Sequence, residues 1–201
     1  MDSVPRFRVL VVGDSGVGKS SIVHALCTKE KLANPKPTVG CSPEVCFLDL
    51  GQGRALIEFW DIGGHPEYRF SRTVLYEGLD AILFVYDLTS AKSQHNLKTT
   101  WMQELTSSLK AGVTVSSRSS AAGGGGGHVE TKRTMRSFNS GFGGLPTLIV
   151  GNKLDRLKGT SLSSENALDG AIRCSAMDPR SCHRTVMSWI ENAARKKLLR
   201  H

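Results

Sequence analysis

Strand-like and helix-like hydrophobic patterns alternate along most of this chain. Apolar residues fall at strand spacing over 7–12, 44–50, 55–60, 81–87, 145–150 and 171–175, and helical patterns fit 19–27, 66–77, 91–109 and 181–199. Leu83-Phe84-Val85 and Leu148-Ile149-Val150 are continuous apolar runs, as expected of strands covered on both faces. This alternation predicts an α/β fold in three layers, a mostly parallel six-stranded sheet with helices on both faces. The segments 44–50 and 55–60, joined by Gly51-Gln52-Gly53, read as an antiparallel hairpin. In 181–199, Val186, Trp189, Ile190 and Ala193 share one stripe while Arg184, Glu191 and Arg195 fall elsewhere, so Trp189 reads as a core anchor.

One interruption breaks the pattern. Residues 107–144 carry a serine-rich run, five consecutive glycines (123–127), and then Lys132, Arg133 and Arg136. Such a composition buries too little apolar surface to offset ordering entropy. The expectation is one domain over 1–201 with a disordered, low-complexity insertion at 107–144, before the fifth strand. A basic serine-rich loop is also a candidate for phosphorylation or an acidic partner, but a solvated expansion is the plainer reading.

Composition narrows the class. The net charge of +8 is concentrated in 110–136 and 195–201 rather than spread over the fold. No aromatic residues interleave with those basic runs, so nucleic acid is not an expected partner. Arg195, Lys196, Lys197 and Arg200 offer at most weak peripheral contact with anionic lipid, and a solvated helix end is favoured. No apolar run approaches the roughly 20 residues of a membrane span. The five cysteines lack CxxC spacing and read as reduced thiols. The N-terminal stretch shows no secretory signal, Asp2 excludes N-myristoylation, and Cys182 lies too far from the end for a prenylation box. These features predict an unlipidated, cytoplasmic protein.

The chemistry begins at Gly13-Asp14-Ser15-Gly16-Val17-Gly18-Lys19-Ser20, a GxxxxGK[ST] loop between a strand and a helix. Its backbone N–H groups and the following helix terminus suit anionic oxygens. Lys19 is expected to reach the outer phosphates, and the Ser20 hydroxyl to ligate Mg²⁺. Asp61, at the end of 55–60, can hold Mg²⁺ through water, and Gly64 can offer its N–H to a terminal phosphate. Thr38 alone reads as a turn threonine; between these motifs it can supply a second hydroxyl to Mg²⁺. Asn152-Lys153-Leu154-Asp155 follows a buried strand, and a carboxylate at Asp155 can accept both donors of guanine's edge. A backbone N–H at Ser175-Ala176 can meet the guanine oxygen. Together these motifs favour GTP or GDP over an ATP-dependent kinase.

These motifs in this order resemble the small GTPases of the Ras superfamily, closest to the Rab-like branch. Val9–Ser21, Thr38-Val39-Gly40-Cys41 and Val85-Tyr86-Asp87-Leu88-Thr89 carry the resemblance, which covers nearly everything outside 107–144. It implies a P-loop NTPase fold and a cofactor pair of GTP/GDP and Mg²⁺. By resemblance Asp14, Ser15, Gly16, Val17, Gly18, Lys19, Ser20 and Ser21 hold the phosphates. Asn152, Lys153 and Asp155, supported by Ser175 and Ala176, read the base. Ser20, Thr38 and Asp61 hold the metal, and His65, Lys19, Thr38 and Gly64 form the catalytic set. Effectors and regulators are expected on Thr38–Glu44 (switch I) and Gly64–Tyr76 (switch II).

Four departures from the family pattern qualify this. His65 stands where a glutamine usually orients the attacking water, which predicts slow hydrolysis. Gly63 and Pro66 flank the switch II start with opposing effects on stiffness. Lys31 replaces an aromatic over the base, which predicts faster nucleotide exchange. The stretch 156–170, rich in serine and glycine, predicts a shortened fourth helix; a surface bared there makes a homodimer a candidate. The leading reading is a slow GTPase switch in trafficking or signalling. The alternative is a GTP-binding scaffold with negligible hydrolysis.

Overall fold

The computed structural model describes residues 4–51, 53–116, 142–157, 168 and 170–198. Six strands form one sheet in the order β2-β3-β1-β4-β5-β6. They are β1 (Arg6–Val12), β2 (Cys41–Asp49), β3 (Arg54–Ile62), β4 (Ala81–Asp87), β5 (Thr147–Asn152) and β6 (Ile172–Arg173). β2 runs antiparallel to β3, as the hairpin reading required, and every other pairing is parallel. The register places Val11 beside Asp61 and Asp87 beside Asn152. The carboxyl ends of β1, β3, β4 and β5 therefore share one edge, where open α/β sheets bind ligands.

Alternation along the strands divides the core. Phe7, Val9, Val11, Leu83 and Val85 join one cluster with Ile22 and Leu26 of α1 (Lys19–Thr28) and Val186 and Ile190 of α5 (Pro179–Leu198). Leu10, Val12, Ile82, Phe84 and Tyr86 enter the other, with Leu97, Trp101 and Leu105. Trp189 is half-buried at the first cluster's margin, less of an anchor than the stripe implied. Among the described residues, no helix is long and apolar enough to cross a membrane.

Two elements differ from expectation. The predicted helix at 66–77 is instead a 3₁₀ turn (Pro66–Tyr68), a single α-turn, α2 (Arg69–Arg72), and a second 3₁₀ turn (Thr73–Tyr76). Pro66 is acceptable only in a first turn, and Arg72 and Tyr76 are both drawn inward to Glu104. The helix expected at 91–109 runs on to Ser116, as α3 (Ala91–Asn96), a π-turn (Leu97–Trp101) and α4 (Met102–Ser116). Residues 107–116, which the composition assigns to the insertion, thus continue α4. At the insertion's far end Phe142 is buried against Phe84, ring centroids 5.3 Å apart, so the core reaches back before Gly144. The rest of the insertion (117–141) and most of the shortened-helix stretch (158–167 and 169) lie outside the described residues.

Candidate nucleotide site

At the carboxyl end of β1 the loop turns tightly into α1. Gly18 holds φ +93°, and a Cβ there would lie 2.3 Å from Asn152 Nδ2, so no side chain fits. Lys19 is only 5% exposed, and its Nζ donates to the carbonyls of Gly13 and Asp14, both at 3.0 Å. Burial lowers its pKa to about 8, against the raising effect of Asp61 and Asp14.

Three predicted metal-site residues converge beside it. Ser20 Oγ donates to Asp61 Oδ2 at 2.5 Å, Thr38 Oγ1 donates to the same oxygen at 3.1 Å, and the two hydroxyls lie 3.0 Å apart. Asp61 Oδ1 is buried with no hydrogen-bond partner among the described residues. Burial raises the Asp61 carboxyl above the usual carboxylate range, although Ser20, Lys19 and Thr38 pull it down. An orphaned carboxylate oxygen beside two hydroxyls is a hard-oxygen donor set of the kind Mg²⁺ takes. These residues fit the implied ion.

The Gly63 N–H donates to the Gly40 carbonyl at 2.7 Å, tying the residue just before switch II to switch I. Gly64 lies against the phosphate loop. A Cβ on it would come 2.4 Å from both Asp14 C and Ser15 N, and 2.6 Å from Gly13 O.

The far end of the site is built on β5 and the turn after β6. Asn152 is 2% exposed; its Nδ2 donates to the Val17 carbonyl at 2.9 Å, and its Oδ1 accepts the Ala176 N–H at 3.0 Å. Its amide thus ties the phosphate loop to the Ser175–Met177 turn. Lys153 donates to the Gly16 carbonyl at 2.7 Å and pairs with Asp87 at 2.8 Å. Burial alone would raise the Asp87 carboxyl, but Lys153 and Thr89 outweigh it and hold it below its usual range. The Ser175 hydroxyl donates to Asp155 Oδ1, and the Met177 N–H donates to Ser175 Oγ at 3.0 Å.

A cavity of about 350 Å³ connects both ends. Ser15, Gly16, Gly18, Lys19, Ser20, Ser21, Thr38 and Gly64 line its phosphate side; Asn152, Lys153, Asp155 and Ala176 line its base side. Asp61 stands behind Ser20 and Thr38 rather than on the wall. Val17 is buried in the core and contributes its carbonyl to Asn152. His65 does not line the cavity: its side chain is 55% exposed, and its Nδ1 lies 3.5 Å from a Glu67 carboxylate oxygen. Lys31 is exposed and away from the wall.

Sequence reasoning missed Pro35, Lys36, Pro37, Arg156 and Met177, which also line the cavity. The only available signal was adjacency to Thr38, Asp155 and Ala176. It also missed the role of Asp14, whose carboxylate points away from the cavity. Its Oδ1 accepts from Trp101 Nε1 at 2.8 Å and its Oδ2 from Asn96 Nδ2 at 2.7 Å.

Residues 8–117 match the Ras family. Rab-like protein 3 of Homo sapiens is 36% identical over 170 residues, covering 80% of this chain and 66% of its own length. Rab-like protein 3 of Danio rerio is 36% identical over 167 residues, covering 78% of this chain and 65% of its own. Small GTPase LIP1 of Arabidopsis thaliana is 34% identical over 181 residues, covering 82% of this chain and 46% of its own. The chain thus spans just under two thirds of the first two relatives and under half of the third.

Proposed function

This chain belongs to the Ras family, and from that membership we propose that it is a guanine-nucleotide switch that binds GTP or GDP with Mg²⁺ and controls effector binding in trafficking or signalling. The observation that carries the reading is one cavity with two chemically different ends. Lys19, Ser20 and Thr38, backed by Asp61, stand at one; Asp155 stands at the other. Ser20, Thr38 and Asp61 would hold the magnesium, which neutralises charge on the outer phosphates when bound. Lys19 gives up two carbonyl partners to meet those phosphates, which its buried ammonium makes favourable. Asp155 selects guanine, because a base without paired donors leaves the carboxylate unmatched. Effectors meet the exposed apolar residues of the switch segments and β2, among them Val39, Val45, Phe47, Phe70 and Val74.

Competition between GTP and ATP for a fluorescent guanine nucleotide tests the reading. Asp155→Asn should move preference from guanine toward xanthine nucleotides; an unchanged preference would remove Asp155 from the base site. Hydrolysis is proposed to be slow, since the His65 ring is engaged with Glu67 and stands outside the cavity. Single-turnover assays should show His65→Gln hydrolysing GTP faster than wild type. If both variants are inert while effectors still bind, the chain is a GTP-dependent scaffold instead.

A further inference from the structure

A buried polar chain runs from switch II to the phosphate loop. Arg72, 3% exposed, grips Glu104 with both arms of its guanidinium: Nε donates to Oε1 at 2.7 Å and Nη2 to Oε2 at 2.6 Å. Tyr76 donates to Glu104 Oε1 at 2.7 Å, and Arg69 adds a looser contact at 3.6 Å. The Arg72 guanidinium lies over the Trp101 ring, 4.0 Å from its centroid. The same indole donates to Asp14, which Asn96 holds from its other side. The Asp14 carbonyl in turn accepts from Lys19. Trp101 closes the π-turn between α3 and α4, and Asn96 is the residue just before that turn. Such turns are frequent where function requires a side chain to be re-aimed.

We infer that Trp101, Asn96 and Arg72 are positioning residues for the phosphate loop, so that switch II and the nucleotide are coupled through the ring of Trp101. Two features support coupling rather than simple packing. The contacts are directional and charge-assisted, so they fix orientation as well as distance. Arg72 also faces inward between Phe70 and Val74, which are 88% and 73% exposed. A protein that seizes those two apolar residues pulls on the segment that carries Arg72. It therefore acts on the phosphate loop without touching the nucleotide. The Arg72 Nη1 atom, buried with no partner among the described residues, leaves this arrangement an acceptor short.

This rests on the guanine-switch reading only for the identity of the nucleotide. The test measures dissociation of fluorescently labelled GDP from wild type, Trp101→Phe, Arg72→Lys and the double variant, each with its melting temperature in saturating GDP. Trp101→Phe keeps an aromatic ring for Arg72 but removes the indole N–H together with the rest of its five-membered ring, and the melting temperature reads the packing lost with it. The substitution should speed dissociation about tenfold, the equivalent of about 1.4 kcal/mol. Arg72→Lys should act in the same direction and shift the Trp101 indole N–H signal in the NMR spectrum. The double variant should exceed the larger single effect by little, because both act through one path. Gln103→Ala, on the exposed side of α4, should leave the rate unchanged. Rates unchanged in both single variants, or effects that multiply independently with an unmoved indole signal, would overturn the inference. If wild type prefers an adenine nucleotide, the guanine reading fails, and the same comparison run with that nucleotide still decides this one.

Discussion

Lys19→Met offers a sharp test of how the site stores its affinity. The ammonium is buried, and its pKa falls from 10.5 to about 8. At about 1.4 kcal/mol per tenfold change, that gap corresponds to about 3 kcal/mol of destabilisation of the nucleotide-free fold at neutral pH. Methionine has a similar stem and no charge, so the substitution removes this penalty. It also removes two hydrogen bonds to the Gly13 and Asp14 carbonyls, which contribute about 1 kcal/mol each. Nucleotide-free Lys19→Met should therefore match or exceed wild type by about 1 kcal/mol at pH 7, while losing nucleotide affinity.

The pH dependence carries the sign. Below pH 8 the lysine is protonated in both folded and unfolded states, and the folded state bears the full penalty. Between about pH 8 and 10.5 the folded protein releases its proton while the unfolded chain keeps its own, so wild-type stability rises relative to the variant. Over that window the difference should move by about 3 kcal/mol in favour of wild type. Urea unfolding followed by circular dichroism, in EDTA after nucleotide removal, measures it at each pH. Taking wild type minus variant cancels the other groups that titrate there. A difference that stays flat, or falls, from pH 7 to 10.5 would refute the argument.

Two further outcomes follow from packing and pairing. Gly64→Ala drives a methyl group into the phosphate-loop backbone at 2.4 Å, so the two segments must part. Equilibrium titration should show weaker binding of a non-hydrolysable GTP analogue, with GDP affected less. Glu104→Ala leaves Arg72 buried and unpaired and should cost about 3–5 kcal/mol in denaturant unfolding, whereas Glu104→Gln should cost less.

The parts of the site that were legible in the sequence are those written in short motifs. Gly13–Ser20, Asp61–Gly64 and Asn152–Asp155 each sit at the end of a strand that its own apolar run predicts. A parallel sheet then brings those strand ends to one edge, which puts Ser20 near Asp61; Thr38 joins them from the loop before β2. What stayed hidden depends on contacts between residues far apart in the chain. Asp14 meets Trp101 and Asn96 across 87 and 82 positions, and Arg72 meets Glu104 across 32. Hydrophobic periodicity cannot register a buried ion pair, so 66–77 read as one amphipathic helix. The Ser/Gly-rich composition after Ser107 likewise concealed the continuation of α4, because propensity is a weak guide where a helix is already nucleated.

Asn152 separates two jobs that the motif runs together. Both ends of its amide are committed to the chain itself, joining Val17 to Ala176, whereas Asp155 stands exposed on a short turn beyond it. On the proposed reading the choice of base falls to a replaceable fitting, while the frame proposed to grip phosphate is closed behind it. If Asp155 reads the base, a change at position 155 should alter base preference and leave the Val17–Asn152–Ala176 tie in place. The reverse does not hold: a change at Asn152 unfastens both compartments at once.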